Sequence, residues 1–397
     1  MKASQRAASI APSVTFAIEA RVRELREQGL DVIGLGVGQP DFAGPPQAAE
    51  AVIAGLAESE GRVGYTAASG TLELREAAAA HVSRVSGCTY SAQDLIVTNG
   101  AKEALALALA AAGDPGDTLL LPSVNWLSYA AMAQAYDLKP HDVPVNAENH
   151  FKLRAAALDA AAAQTGARLL LLNSPNNPTG AVFSEAELLD IAAVCVARDI
   201  TVISDEIYWP FVFDGRFVSI ASLPGMAERT FVVNGLSKSH AMTGWRVGFL
   251  AGHGPALKAA ASLKSHLSSN ASVAAQWAAQ GALASGPEHT ANIASAFARR
   301  RDLALELLAE IPGLQVDPPQ GAFYVFPRVD ALYGGEIQGS VAFCQRLLEE
   351  QRLAAVPGAA FGENRCIRLS IAVDDATLEQ GLARLAAFAT ALSEARV

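Results

Sequence analysis

The sequence is poor in cysteine, poor in basic charge relative to acidic charge, and free of long apolar runs, and each shortage excludes a class of protein. Its 397 residues include four cysteines, Cys88, Cys195, Cys344 and Cys366, scattered with no Cys-x-x-Cys pair. That pattern excludes a dense disulfide framework and fits reduced, buried, inert thiols; no metal site is expected. Thirty Lys and Arg face forty Asp and Glu, a formal net charge of −10. A general basic surface for nucleic acid or anionic membrane is therefore not expected, and any anion must be met locally. Apolar stretches such as Leu119 to Leu121 and Leu169 to Leu172 are short and bounded by turn residues, which fits buried strands and not membrane spans. Met1 to Pro12 carries Lys2 and Arg6 but no apolar core of signal-peptide length. A cytoplasmic protein is the expectation.

What is present is a long alternation of alanine-rich helical stretches with short apolar strands, from about residue 47 to 286. It predicts an α/β domain with a mostly parallel sheet sandwiched by helices. Strands are expected at 95–98, 118–121, 168–173, 201–204 and 230–234, with a return strand at 247–251. In such sheets ligands collect beyond the carboxyl ends of the strands. Residues 287–397 read as a smaller α+β domain with a strand at 322–326. Residues 1–46, with a helix over roughly 16–28, form an N-terminal segment that packs with the smaller domain.

The most telling segment is Gly235-Leu236-Ser237-Lys238-Ser239-His240-Ala241-Met242-Thr243-Gly244-Trp245-Arg246-Val247-Gly248. A lysine in a tight turn of small residues, with an arginine eight positions on, suits an aldehyde held as an imine and a phosphate held by a planar guanidinium. Read alone, Lys238 is equally a solvated lysine at a strand end. Other strand ends supply what such a cofactor needs. Asp205 closes an apolar strand, where ionisation makes sense beside a pyridinium, although a helix cap is the plainer alternative. Tyr208 offers a hydroxyl to a ring oxygen, or simply packs. Asn173-Ser174-Pro175-Asn176-Asn177-Pro178 fixes a non-helical loop that points the Asn177 amide outward, unless it is a bare turn. Trp126 gives a flat face for a ring or fills the core. Thr98-Asn99-Gly100-Ala101-Lys102 presents free amides at a helix N-terminus, a natural phosphate cradle. Gly34-Leu35-Gly36-Val37-Gly38 fails as a dinucleotide loop because Gln39 and Pro40 follow and no helix opens there; an extended turn is expected instead.

In the order and spacing of these motifs the chain resembles, over nearly its whole length, a class I aminotransferase of the fold type I pyridoxal phosphate superfamily. The bacterial aspartate/prephenate branch is the most similar. The resemblance implies a seven-stranded sheet and pyridoxal 5′-phosphate as cofactor. It implies that Lys238 bonds covalently to the cofactor, that Asp205 partners the pyridinium, and that Tyr208 and Asn177 surround the ring hydroxyl. Trp126 would stack, Arg246 would bind phosphate, and Gly100, Ala101, Lys102 and Ser237 would lie near it. Arg368 would clamp a substrate α-carboxylate with help from the Gly38 backbone. Ser13, Thr15 and Lys102 match positions that hold a second carboxylate. Tyr65 would reach the partner subunit's phosphate in a homodimer with shared sites.

The resemblance implies a ping-pong transfer of an amino group from an L-amino acid, with aspartate- or glutamate-like donors favoured, to a 2-oxo acid. Two departures keep elimination, replacement, cyclisation or oxidative chemistry open as an alternative. Ser123-Val124-Asn125 replaces an expected Pro-Tyr pattern, and His266 stands near the expected substrate side where relatives often carry glutamine. A regulator built on such a domain would need a DNA-binding appendage, and the stretch before Pro12-Ser13 is too short and too weakly basic for one.

Overall fold

The computed structural model describes residues 1–394, and its centre is a seven-stranded sheet. Strands lie in the order Leu95–Thr98, Gly248–Ala251, Thr230–Gly235, Thr201–Asp205, Leu169–Asn173, Thr118–Pro122, Lys139–Val143. All pairings are parallel except those of Gly248–Ala251, which runs antiparallel to both neighbours as the expected return strand. Helices cover both faces, so the central strands read as unbroken apolar runs: Leu169–Asn173 and Thr230–Gly235 are buried at every position. The strand Lys139–Val143 was not foreseen. It is the edge strand of sequence Lys-Pro-His-Asp-Val, buried only at Val143, and it carries no apolar run to betray it.

Register decides the site. Asn173 pairs with Asp205, and Asp205 with Val233, so the carboxyl ends of three adjacent parallel strands finish at one level. Antiparallel to them, Gly248 pairs with Gly235 on one side and with Thr98 on the other. This brings the Gly235–Gly248 segment and the Thr98-Asn99-Gly100 junction together at the same edge.

A three-stranded antiparallel sheet, Val356–Pro357, Ile367–Ser370 and Tyr324–Val325, packs with the helices Glu288–Ala309, Ser340–Gln351 and Asp375–Glu394. Positions 395–397 of the expected C-terminal unit lie outside the described residues. Ile33–Gly34 pairs in parallel with Leu353–Ala354, and the helix Val14–Glu27 packs beside them, with Val22 and Leu25 buried against Val32 and Ala354. One apolar cluster joins Phe297, Leu347, Leu385 and Phe388 to Ile207, Tyr208 and Phe211 from the end of the large sheet. The strand that carries Arg368 is thereby fixed against that edge. No helix among the described residues is long and apolar enough to cross a membrane.

Candidate active site

A cavity of about 480 Å³ opens at the carboxyl ends of the strands. Of the residues given a cofactor- or substrate-binding role in the sequence, all but Gly100 and Tyr65 line it: Ser13, Thr15, Gly38, Ala101, Lys102, Trp126, Asn177, Asp205, Tyr208, Ser237, Lys238, Arg246 and Arg368. Gly100 lies directly behind Arg246, where an added Cβ would come within 2.6 Å of a guanidinium nitrogen. Tyr65 stands apart on an irregular segment and is 93% exposed.

Lys238 lies three residues beyond the end of its strand, and its Nζ donates to the Gly38 carbonyl at 2.5 Å. The turn that presents this carbonyl is anchored by Asp41, which accepts two hydrogen bonds from the buried Arg300 at 2.7 and 2.8 Å. Gly38 must be glycine for want of space, since a Cβ there would sit 2.2 Å from the Tyr324 hydroxyl. Burial, with help from the neighbouring Arg246 and Arg368, brings the Lys238 ammonium down from 10.5 to about 8. About a tenth of the amine is thus neutral at pH 7 and about half at pH 8, far more than for a free lysine, as an imine-forming lysine requires. The strand-end reading of Lys238 as a solvated side chain is set aside.

Asp205 is buried at the end of its strand, and burial pushes its carboxyl up from 3.8 to about 6. Tyr129 Oη donates to its Oδ2 at 2.8 Å and the Ile207 N–H to its Oδ1 at 3.2 Å. The second contact makes Asp205 a local turn cap as well as a buried acid. With no ligand bound, the folded chain holds this proton more tightly than the unfolded chain does. The cost of ionisation is therefore absent below pH about 4, grows as pH rises through 6, and is full above it. At 1.36 kcal/mol per unit, Asp205→Asn should stabilise the ligand-free protein by up to about 3 kcal/mol at pH 7–8. The gain should vanish below pH 4 in denaturant titrations; a gain independent of pH would place its origin elsewhere.

Asn177 is buried and not displayed on the surface, because the whole loop from Asn173 to Phe183 is buried. Its N–H donates to Asn173 Oδ1 at 2.9 Å, and its own Oδ1 accepts from Arg368 Nη1 at 2.9 Å. Arg368 is 2% exposed, donates through Nη2 to the Gly36 carbonyl at 2.6 Å, and lies over the rings of Tyr324 and Phe361 at 4.4 and 4.9 Å. Its Nε is buried without a partner, and it forms no ion pair among the described residues. A buried cation with a spare donor and no carboxylate within ion-pair distance among the described residues is an open position for a carboxylate. Tyr208 and Tyr324, both buried, share a hydrogen bond at 3.0 Å between their hydroxyls.

At the opposite end, Arg246 adopts φ +55°, donates to the Thr243 carbonyl at 3.1 Å and the Asn99 carbonyl at 3.4 Å, and is otherwise exposed. Beside it the helix Ala101–Ala112 starts at Gly100, whose φ of +83° favours glycine and which offers no capping side chain. The free N–H groups and the guanidinium form an anion cradle. Lys102 lies over Trp126 at 5.0 Å and over Phe16 at 5.5 Å, and burial followed by Arg246 lowers its pKa. Trp126 meets Tyr129 edge to face at 5.3 Å. Ser13 precedes the helix Val14–Glu27 without capping it, so its hydroxyl remains available to the cavity.

Sequence reasoning gave no role to Tyr129, Tyr324 and Glu19, which also line the cavity. Tyr129 follows Trp126 by three residues in the same junction, a signal that was available. Tyr324 and Glu19 carry none; the sheet and the N-terminal helix bring them in. His266 is exposed on the last turn of Pro255–Leu267 and does not line the cavity, contrary to the placement expected for it.

Comparison with known proteins agrees with this geometry. Residues 30–385 match the family described as Aminotransferase class I and II. A probable aspartate/prephenate aminotransferase of Aquifex aeolicus is 40% identical over 386 residues, covering 96% of this chain and 97% of the relative. The crystal structure of the aspartate aminotransferase from Rhizobium meliloti superposes with a TM-score of 0.93 at 36% identity, over 98% of this chain and 99% of the other. The Thermus thermophilus aspartate aminotransferase with maleate gives 0.92 at 35% identity, over 98% and 99%. Likeness of this extent in both sequence and fold means that the chain belongs to the class I and II aminotransferases and is an amino-group transferase of the fold type I architecture.

Proposed function

We propose that the protein binds pyridoxal 5′-phosphate in this cavity and transfers the amino group of a dicarboxylic amino acid, aspartate or glutamate, to a 2-oxo acid. The observation that carries the reading is the buried Arg368, in no ion pair among the described residues and with its Nε unpartnered, in the same cavity as Lys238 and Asp205. The residues fit the cofactor. Asp205 is a buried acid held by neutral hydrogen-bond donors, Lys238 is a partly neutral amine, and Arg246 faces free amide donors where a side chain at Gly100 would collide. When bound, pyridoxal phosphate supplies an aldehyde that condenses with amines and a protonated ring that accepts the electron pair released at Cα.

The chain's own residues do the rest. Arg246 and the amides of Ala101 and Lys102 hold the phosphate, with Gly100 leaving them room because its own N–H is spent on the Thr98 carbonyl at 2.8 Å; Ser237 lies alongside, and Trp126 covers the ring face. Asp205, oriented by Tyr129, keeps a cationic nitrogen protonated, a stabilisation strengthened by burial. Asn177 and Tyr208 orient the ring hydroxyl. Arg368 grips the α-carboxylate next to Gly38, so that Cα is held where Lys238 Nζ takes its proton. Ser13, Thr15 and Lys102 meet the second carboxylate. The Thermus thermophilus relative is seen with maleate, itself a dicarboxylate, which supports this assignment.

A screen of amino acids for formation of the matching 2-oxo acid and of pyridoxamine phosphate tests the reading. Aspartate or glutamate should be the best donors; products of elimination or cyclisation without pyridoxamine phosphate would overturn it. Lys102→Ala should lower kcat/KM for these two by about 5- to 30-fold, the value of one charge-assisted contact in a half-buried place. Alanine as donor should change less than twofold. An equal loss for alanine and glutamate would make Lys102 a phosphate or structural residue.

The working unit is proposed to be a cytoplasmic homodimer. Exposed apolar side chains crowd the stretch around Tyr65, with Ile53, Leu56, Val63 and Leu72 all exposed, which supports a covered face there. The four described cysteines are unpaired and buried, which suits a reducing compartment. Lys238→Ala and Tyr65→Asp should each be inactive alone. After subunit exchange one site of a mixed dimer carries both lesions and the other none, so activity should return to roughly a quarter of the wild-type value. No recovery from demonstrated mixed dimers would place Tyr65 in its own subunit's site or outside any site.

A further inference from the structure

We infer that the buried pair Glu103–Lys264, which does not line the cavity, is the positioning device that fixes its phosphate end. The inference rests on the proposed reading of that end as a phosphate site. Lys264, in the last turn of Pro255–Leu267, has no exposed side-chain surface, and its Nζ donates to Glu103 Oε2 at 2.9 Å. The same oxygen accepts the Asn99 N–H at 2.5 Å and the Asn99 side-chain amide at 3.1 Å, while Ser268 donates to Oε1. The Asn99 carbonyl then accepts from Arg246. A continuous chain of contacts therefore runs from a buried ammonium, through Glu103 and the Asn99 peptide, to the guanidinium of the cradle.

The geometry explains why a clamp is needed. Gly100, with φ +83° and no side chain, is the loosest link between the strand Leu95–Thr98 and the helix that donates the amides. One side of this link is walled by Gly248, where a Cβ would lie 2.6 Å from Ala101 N and from Gly100 C. On the other side Glu103 reaches back over the first turn and pins the residue before the glycine. Burial alone would raise the Glu103 carboxyl, but hydrogen bonds from Ser268, the Asn99 N–H and Lys264 outweigh it and hold the carboxyl below its usual range, so it stays ionised. A buried ion pair adds little net stability, because two ions leave water to make it. Its effect here is to fix direction: amide donors and guanidinium keep one mutual orientation before an anion arrives.

The test compares two ligands of the cofactor-free protein, pyridoxal phosphate and pyridoxal, which lacks the phosphate. Dissociation constants are read from quenching of protein fluorescence. Glu103→Ala should weaken pyridoxal phosphate by about tenfold or more, the value of one hydrogen bond to a charged group, while pyridoxal changes less than about twofold. Lys264→Met should act in the same direction and less, since Asn99 and Ser268 still hold Glu103. Glu103→Gln, nearly isosteric, keeps one acceptor for Asn99 and should fall between; it also serves if the alanine variant does not fold. Equal losses for both ligands, or no loss for either, would overturn the clamp while leaving the phosphate site standing. A wild-type protein that binds pyridoxal as tightly as pyridoxal phosphate would instead sink the phosphate reading, and the clamp with it.

Discussion

Replacement of Lys238 by alanine is expected to lower transamination by at least on the order of 10⁴-fold, because in the proposed mechanism one side chain serves both as covalent anchor and as the base at Cα. The protein should still fold. Burial, with help from Arg246 and Arg368, already pulls the Lys238 pKa to about 8, so its ammonium gives the fold no support. Melting of the cofactor-free variant should stay within a few degrees of wild type, near the scatter expected of a neutral substitution in a chain of this size. Cofactor affinity separates the roles. The proposed contacts of Arg246 and Ala101 with phosphate remain, so the variant should bind pyridoxal phosphate weakly but without the borohydride-reducible bond expected of wild type. Reduction and peptide mapping of the wild-type protein should find the label on Lys238. Label on Lys264 or Lys102 would refute the assignment of the anchoring lysine.

The part of this site that could be read from the sequence is the part built at strand ends. An apolar run followed by a polar residue announces both a buried strand and the place where its last side chain emerges, which is why Asp205, Asn177, Gly100 and Lys238 were legible and now line or border one cavity. Two things were hidden. Polar edge structure leaves no periodic trace, so the strand Lys139–Val143 went unread. Support across long sequence separations leaves none either: Glu103 and Lys264 are 161 positions apart, and Tyr208 meets Tyr324 across 116. A glutamate in the first turn of a helix and a lysine in the last turn of another are ordinary complements to helix dipoles, and only the packing of Ala101–Ala112 on Pro255–Leu267 turns them into a pair. The same limit applies to Asn177, expected to point outward but buried. The two prolines of its loop are local and legible, but that the chain 321–326 buries the loop is not visible in a local window; the Gly321 N–H, for example, donates to the Gly180 carbonyl at 2.8 Å.

Replacement of Arg368 by lysine should lower kcat/KM for every amino acid tested by about 30- to 1,000-fold, corresponding to about 2–4 kcal/mol for one or two charge-assisted hydrogen bonds in a dry site. Lysine keeps the charge but loses the fork, and the fork is what the surroundings are shaped for. One guanidinium nitrogen already reaches Asn177 and another the Gly36 carbonyl, the plane lies over Tyr324, and Nε is left over. Because Arg368 also ties the loop of Asn177 to the turn of Gly36, a loss of activity alone would not separate binding from architecture. Two further measurements do. Affinity for pyridoxal phosphate should change little, since the proposed phosphate cradle lies at the other end of the cavity and is built from Arg246 and the helix that starts at Gly100. Competition by simple monocarboxylates and by dicarboxylates should weaken together in Arg368→Lys, whereas only dicarboxylates should weaken in Lys102→Ala. If Arg368→Lys spared monocarboxylic donors and penalised dicarboxylic ones, the two cations would have to exchange roles: Arg368 would hold the distal carboxylate, and the α-carboxylate would face the Lys102 end of the cavity.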